Sequence, residues 1–245
     1  MLSGMRLLST SLCLVLSAGV AAGCSGGDEE TVTVLAAASL TDVFDDLTSV
    51  YEDEHPGTTV KLSYGGSPEL VQQVVEGSPA DVLATASPTT MDTVTKEGLT
   101  DGEPEVFATN SPVIVVPKDN PGKVSRLSDL AKDDLTIALC APEVPCGAVA
   151  QESANRADLK LAPDTEENNV RSVLAKVAAG EADAGIVYVT DVTDEVKSID
   201  IPDPAITEYP IAVLKKASPG AKDWVDLVTG DKGQRALKDA GFGAT

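Results

Sequence analysis

Three hydroxyl side chains and four helix starts are spaced so that they could hold a small anion. Ser39 follows an apolar, strand-like run at 32–35 and three alanines, and it opens a helical pattern carried by Leu40, Val43, Phe44, Leu47, Val50 and Tyr51. It is expected as an N-cap, with Asp42 completing the Ser-x-x-Asp form of a capping box, and the alanines leave the first helical N–H groups approachable. Ser67 repeats the device. Gly65 and Gly66 strip side chains from its approach, and Pro68 suits the first turn of a helix whose apolar face is Leu70, Val71, Val74 and Val75. A loop through Pro142 feeds a third helix that starts near Pro145 or Cys146 and runs to about Arg156. The stretch 166–171 starts a fourth, with Val170, Val173, Leu174 and Val177 at helical spacing and Gly180 as its stop. Tyr188 ends an apolar strand. A single strand-to-helix turn has an ordinary structural reading, but recurrent starts carry unpaired N–H groups and partial positive charge and together make an anion cradle.

The elements that must position these groups alternate. Strand-like segments at 58–63, 81–86, 135–140 and 184–188 are separated by helical patterns, one of them capped by Ser87 before Pro88, and this argues an α/β fold with mostly parallel sheets. In such sheets ligands bind beyond the carboxyl ends of strands, where the helix N-termini point. The run 111–117, bounded by prolines, reads as a crossover into a second lobe, and 208–214 as the return. Helices in 220–241, with Trp224, Leu227, Val228 and Leu237, are expected to close the first lobe.

The chain ends and the charge narrow the setting. Residues 1–23 carry one charge, Arg6, then an apolar run and Ala-Ala-Gly before Cys24, the pattern of an exported signal too short to be a permanent span. The Gly23-Cys24 junction resembles a bacterial lipobox, with Ala21 where Leu is more usual, so Cys24 is expected to be lipidated and 24–30 to be a flexible tether. Cys13 leaves with the signal. Cys140 and Cys146 are then either a disulfide or half of a metal site, and with no histidine nearby the disulfide is the better reading outside the cytoplasm. The only histidine, His55, sits in a proline turn at a helix end. The formal charge of −21 argues against nucleic acid or an anionic membrane surface as partner. A serine hydrolase built on Ser39 or Ser67 lacks both a Gly-x-Ser-x-Gly elbow and a well-placed base. A carboxylate metal site lacks ligand spacing.

Several motifs, in order along the chain, resemble the molybdate-binding proteins of ABC importers: Leu-Ala-Ala-Ala-Ser-Leu-Thr at 35–41, Gly66-Ser67, Pro-Ala-Asp-Val-Leu at 79–83, Pro-Glu-Val-Pro-Cys-Gly at 142–147, Asn-Val-Arg at 169–171, Gly-Ile-Val-Tyr at 185–188 and Tyr-Pro-Ile-Ala-Val at 209–213. The resemblance implies a two-lobed type II periplasmic-binding-protein fold with two crossover strands. Lobe one would be 31–109 and 210–245, and lobe two 110–209. It implies a site for molybdate or tungstate in which Ser39 and Ser67 give hydroxyl and backbone donors, Cys146 and Val170 give backbone N–H, and Tyr188 gives a hydroxyl. Position 146 is more usually alanine in the family, and the turn at Ser67 has fewer hydroxyls than its serine-rich version.

The chemistry of the matched positions agrees. A proton-free tetrahedral dianion needs donors and no acceptors, and none of these residues is basic or a carboxylate. Monohydrogen phosphate would want an acceptor, which disfavours it. Sulfate or another tetrahedral oxyanion is the alternative ligand, separable by cavity size. The expectation is a monomeric, exported binding protein on the outer face of the cytoplasmic membrane. It would be held there only by the lipid on Cys24, carry no cofactor or cationic metal, catalyse nothing, and hand its ligand to a permease with a cytoplasmic ATPase.

Overall fold

The computed structural model describes residues 30–245. The signal segment 1–23, the lipidation residue Cys24 and all of the tether except Glu30 lie outside the described residues. Among those described, no helix is long and apolar enough to cross a membrane.

The first half of the chain alternates strand and helix: β1 (Glu30–Ala37), α1 (Thr41–Glu54), β2 (Thr58–Gly65), α2 (Ser67–Val75), β3 (Val82–Ala84), α3 (Pro88–Lys96) and β4 (Glu105–Asn110). The chain then enters a second sheet through β5 (Pro112–Pro117), and continues as β6 (Ile137–Cys140), α4 (Pro145–Arg156), β7 (Thr165–Glu167), α5 (Val170–Ala178), β8 (Ala184–Tyr188) and β9 (Val196–Asp200). It returns to the first sheet as β10 (Thr207–Val213) and ends in α6 (Gly220–Thr229) and α7 (Asp231–Asp239).

Both sheets have five strands, in the orders β2-β1-β3-β10-β4 and β7-β6-β8-β5-β9. In each, one strand opposes the rest and occupies the fourth place, β10 in the first sheet and β5 in the second. These are the strands that have just crossed from the other half. The sheets are therefore mixed: four of the five strands in each run the same way, as the alternating pattern predicts, while the opposing strand makes two of the four pairings antiparallel. The stretch 166–171 divides differently from expectation. Glu166 and Glu167 pair with Leu139 and Cys140 as strand β7, and the helix starts only at Val170, because Asn169 caps it by accepting from Ser172 N at 3.0 Å.

Burial follows the periodicities. The α1 residues Val43, Phe44, Leu47 and Tyr51 face the first sheet, where Phe44 meets Trp224 edge-on at 5.7 Å and Tyr51 meets it at 5.5 Å. Val50, on the same expected stripe, stays 37% exposed at the stripe's edge. In the second half, α5 lays Val173 and Val177 against β8 so closely that a Cβ on Gly185 would stand 2.7 Å from Val173. His55 caps the end of α1, stacked on Tyr51 with ring centroids 4.1 Å apart.

A donor-lined cavity between the two sheets

The loops after β1 and β2 face the starts of α4 and α5, and together they enclose a small cavity. Ser39, Ser67, Cys146, Val170 and Tyr188, the five residues singled out from the sequence, all line it. The remaining wall is small or apolar, with Ala37, Ala38 and Ala86 among it, except for the amide of Asn169, and no carboxylate, lysine, arginine or histidine lines it. The space open to the centre of a water-sized sphere is about 10 Å³, so only a compact ligand fits without the walls parting.

Two of the expected caps are not caps. Ser39 lies in a single 3-10 turn, Ala38–Leu40, ahead of α1, and its side chain makes no capping bond. Its hydroxyl instead lies 2.8 Å from that of Tyr209 on β10. Asp42, expected to complete the capping box, reaches across to Arg171 at 2.7 Å. Ser67 is the first residue of α2, with Gly66 as the cap, and its Oγ accepts from Ala86 N at 3.0 Å. In both cases a distant partner takes the place that a local helix N–H was expected to fill. Ser87 does cap α3, accepting from Thr90 N at 3.2 Å.

The second lobe presents backbone. Val170 is the first residue of α5, and Cys146 is the second of α4, so their N–H groups belong to the unpaired first turn. Cys140 and Cys146 are joined by a disulfide with Cα atoms 5.7 Å apart, tying the start of α4 to the end of β6. Among the described residues no three side chains gather as a metal site. Tyr188 is buried, and its hydroxyl has no partner among the described residues. Burial holds its pKa well above the ordinary phenol value, so it is a neutral donor.

Behind these groups lies a second tier that the sequence did not reveal. Asn110 Nδ2 donates to Thr190 Oγ1 at 2.8 Å and to Tyr209 Oη at 3.4 Å, while its Oδ1 accepts from Ser111 N at 2.9 Å. Burial raises the Tyr209 pKa as well. Asp191 accepts from Tyr188 N at 3.2 Å and forms an ion pair with Arg171 Nε at 2.9 Å, too bent to satisfy either atom as a hydrogen bond. Burial pushes the Asp191 pKa up to about 7, against the opposing pull of Arg171 and the Tyr188 N–H. For Arg171, burial works against the charge, but the bond to Asp42 and the two carboxylates outweigh it and raise its pKa. Asn169-Val-Arg and Tyr209-Pro were visible as motifs, yet the partners of Arg171 and Tyr209 lie 129 and 170 residues away in sequence. Only the pairing of the sheets brings them together.

Two mixed α/β lobes, joined by two crossings and meeting over a cavity lined by donors, define a ligand-capturing binding protein of the type II periplasmic fold. The family model for bacterial extracellular solute-binding proteins matches residues 32–243, and the chain belongs to that family. Among curated relatives it is 39% identical to the molybdate-binding protein ModA of Mycobacterium tuberculosis over 219 residues, 86% of this chain and 84% of that one. It is 32% identical to ModA of Escherichia coli, covering 90% of this chain and 92% of the relative. The solved periplasmic molybdate-binding protein of Azotobacter vinelandii shares the fold, with a TM-score of 0.76 at 20% identity over 87% of this chain and 99% of that one.

Proposed function

We propose that the protein is the extracytoplasmic solute-binding component of an ABC importer, and that it captures molybdate, and tungstate with it, between its lobes and delivers the anion to a permease driven by a cytoplasmic ATPase. One observation carries the reading: the hydroxyls of Ser39, Ser67 and Tyr188 and the helix starts at Cys146 and Val170 share one cavity that no charged side chain lines. A tetrahedral dianion stripped of water there meets charge-assisted hydrogen bonds, worth about 1.5–3 kcal/mol each, and helix dipoles instead of a counter-charge. The relatives named for molybdate support that choice over sulfate. Within this reading the lobes divide at the two crossings, as 31–109 with 210–245 and 110–209. The chain is an exported monomer held at the outer face of the membrane by lipid on Cys24, and it binds without catalysing.

Calorimetry on the signal-free chain with molybdate, tungstate, sulfate and hydrogen phosphate tests it. One-to-one binding of the first two with sulfate silent is the expected result. Tight sulfate binding with molybdate silent would leave the fold standing and remove the substrate.

A further inference from the structure

We propose that Tyr209 and Asn110, neither of which lines the cavity, fix the direction of the Ser39 hydroxyl and so make the site select oxyanions that carry no proton. The inference rests on reading the cavity as an oxyanion site.

Ser111 N–H needs an acceptor and takes Asn110 Oδ1, which leaves Asn110 Nδ2 facing Thr190 and Tyr209. An amide NH₂ only donates, so the Tyr209 oxygen accepts. The Tyr209 proton then has one acceptor in good geometry, Ser39 Oγ at 2.8 Å; the Tyr188 hydroxyl lies near enough to act on Tyr209 but is not aligned for a hydrogen bond. Were Ser39 to donate to Tyr209 instead, a buried phenol proton would be stranded, at a cost of about 1–3 kcal/mol. The chain of donation therefore runs from Asn110 to Tyr209 to Ser39, and the Ser39 proton is left for the cavity. Ser67 reaches the same state by a shorter route, since its oxygen already accepts from Ala86 N. Both serines thus present hydrogen. Molybdate or sulfate, with oxygen acceptors on every side, finds partners at both serines, whereas the proton of hydrogen phosphate finds no acceptor at either.

Two substitutions test the relay. Tyr209→Phe removes the proton donated to Ser39 and keeps the ring packed against Phe107 and Phe242. Asn110→Asp replaces the donor by an acceptor, which draws the Tyr209 proton toward position 110, lets Ser39 donate to Tyr209 and turns a Ser39 lone pair into the cavity. Calorimetry with molybdate, sulfate and hydrogen phosphate, at a pH above the second phosphate ionisation, compares dianions of equal charge, so the added carboxylate acts on all alike. The wild type is expected to prefer the proton-free anion. The preference over hydrogen phosphate should narrow about tenfold in Tyr209→Phe and further in Asn110→Asp. If Tyr209→Phe weakens every anion by the same factor, Tyr209 is a packing residue and the relay is wrong. If Asn110→Asp does not fold, Tyr209→Phe decides alone. Should sulfate prove the tight ligand, the molybdate reading falls, while a narrowing ratio of sulfate to hydrogen phosphate still upholds the relay.

Discussion

The two lobes hold their halves of the cavity by different means. Around the first sheet, Phe44, Tyr51, Phe107, Tyr209, Trp224 and Phe242 belong to a single core cluster, and the cavity groups there are side chains oriented by buried neutral partners. In lobe two the cores on both faces of the sheet are aliphatic, with Tyr188 the one aromatic ring among them. Its contribution is backbone N–H and the Tyr188 hydroxyl, and the segments that carry them are tied by a disulfide at α4, an asparagine cap at α5 and the Asp191–Arg171 pair beside Tyr188. Large rings fix a neighbourhood by filling volume. Where the core is built from valine and alanine, the same precision at a loop is supplied by covalent and polar ties.

The contrast can be broken from the aromatic side first. Phe44→Ala leaves a void between Trp224 and Phe107 and is expected to cost about 3–5 kcal/mol in urea unfolding. A loss under about 1 kcal/mol would mean that the cluster is not what steadies lobe one. The next largest effect lies where the lobes touch. Gly66 has an ordinary φ of −68°, but a Cβ there would stand 2.0 Å from the backbone oxygen of Asn168 in lobe two. Gly66→Ala should therefore leave the ligand-free melting temperature unchanged and weaken molybdate binding by about a hundredfold, because closure is blocked. Equal affinity would show that the lobes can meet without that contact.

The ties of lobe two have smaller consequences. Replacing Cys140 and Cys146 by serine opens a loop of sequence separation 6 and should cost about 2 kcal/mol, a melting shift on the order of 5 °C. Treatment with reductant should reproduce it in the wild type and do nothing to the variant. The last effect is a pH slope. Because the folded-state pKa of Asp191 is raised to about 7 from 3.8, the folded protein holds a proton there that the unfolded chain has released. This group's stabilising contribution is thus present at low pH and is lost as pH rises through about 7. Melting curves of wild type and Asp191→Asn across that window should converge at the acid end and separate at the alkaline end, and parallel curves would remove Asp191 as the titrating group.

Much of the fold was readable because its punctuation is local. Ser87-Pro88 capped a helix, Gly180 stopped one, and period and length separated strands from helices. Near the cavity the local rules misled at two residues for one physical reason. A serine ahead of a helix normally spends its oxygen on the first-turn N–H groups, but Ser39 and Ser67 spend theirs on Tyr209 and Ala86. Asp42 likewise looked like half of a capping box and belongs to a contact with the other lobe. The residues lining the cavity could be named because each sits at a helix start or strand end. Asn110 and Asp191 could not, since nothing in Asn-Ser-Pro or Thr-Asp-Val marks a side chain that works only after both sheets have formed.

Asn110 ends β4 just where the chain crosses to β5, and it is paired in register with Thr207 at the start of the returning strand β10. It therefore stands at the pivot. Two strands running side by side between rigid bodies allow a swing about the line that joins them, and displacement in a swing grows with distance from that line. Atoms at the pivot scarcely travel. By the relay proposed above, the orientation of Ser39 depends on atoms beside that line, so it is set before any anion arrives.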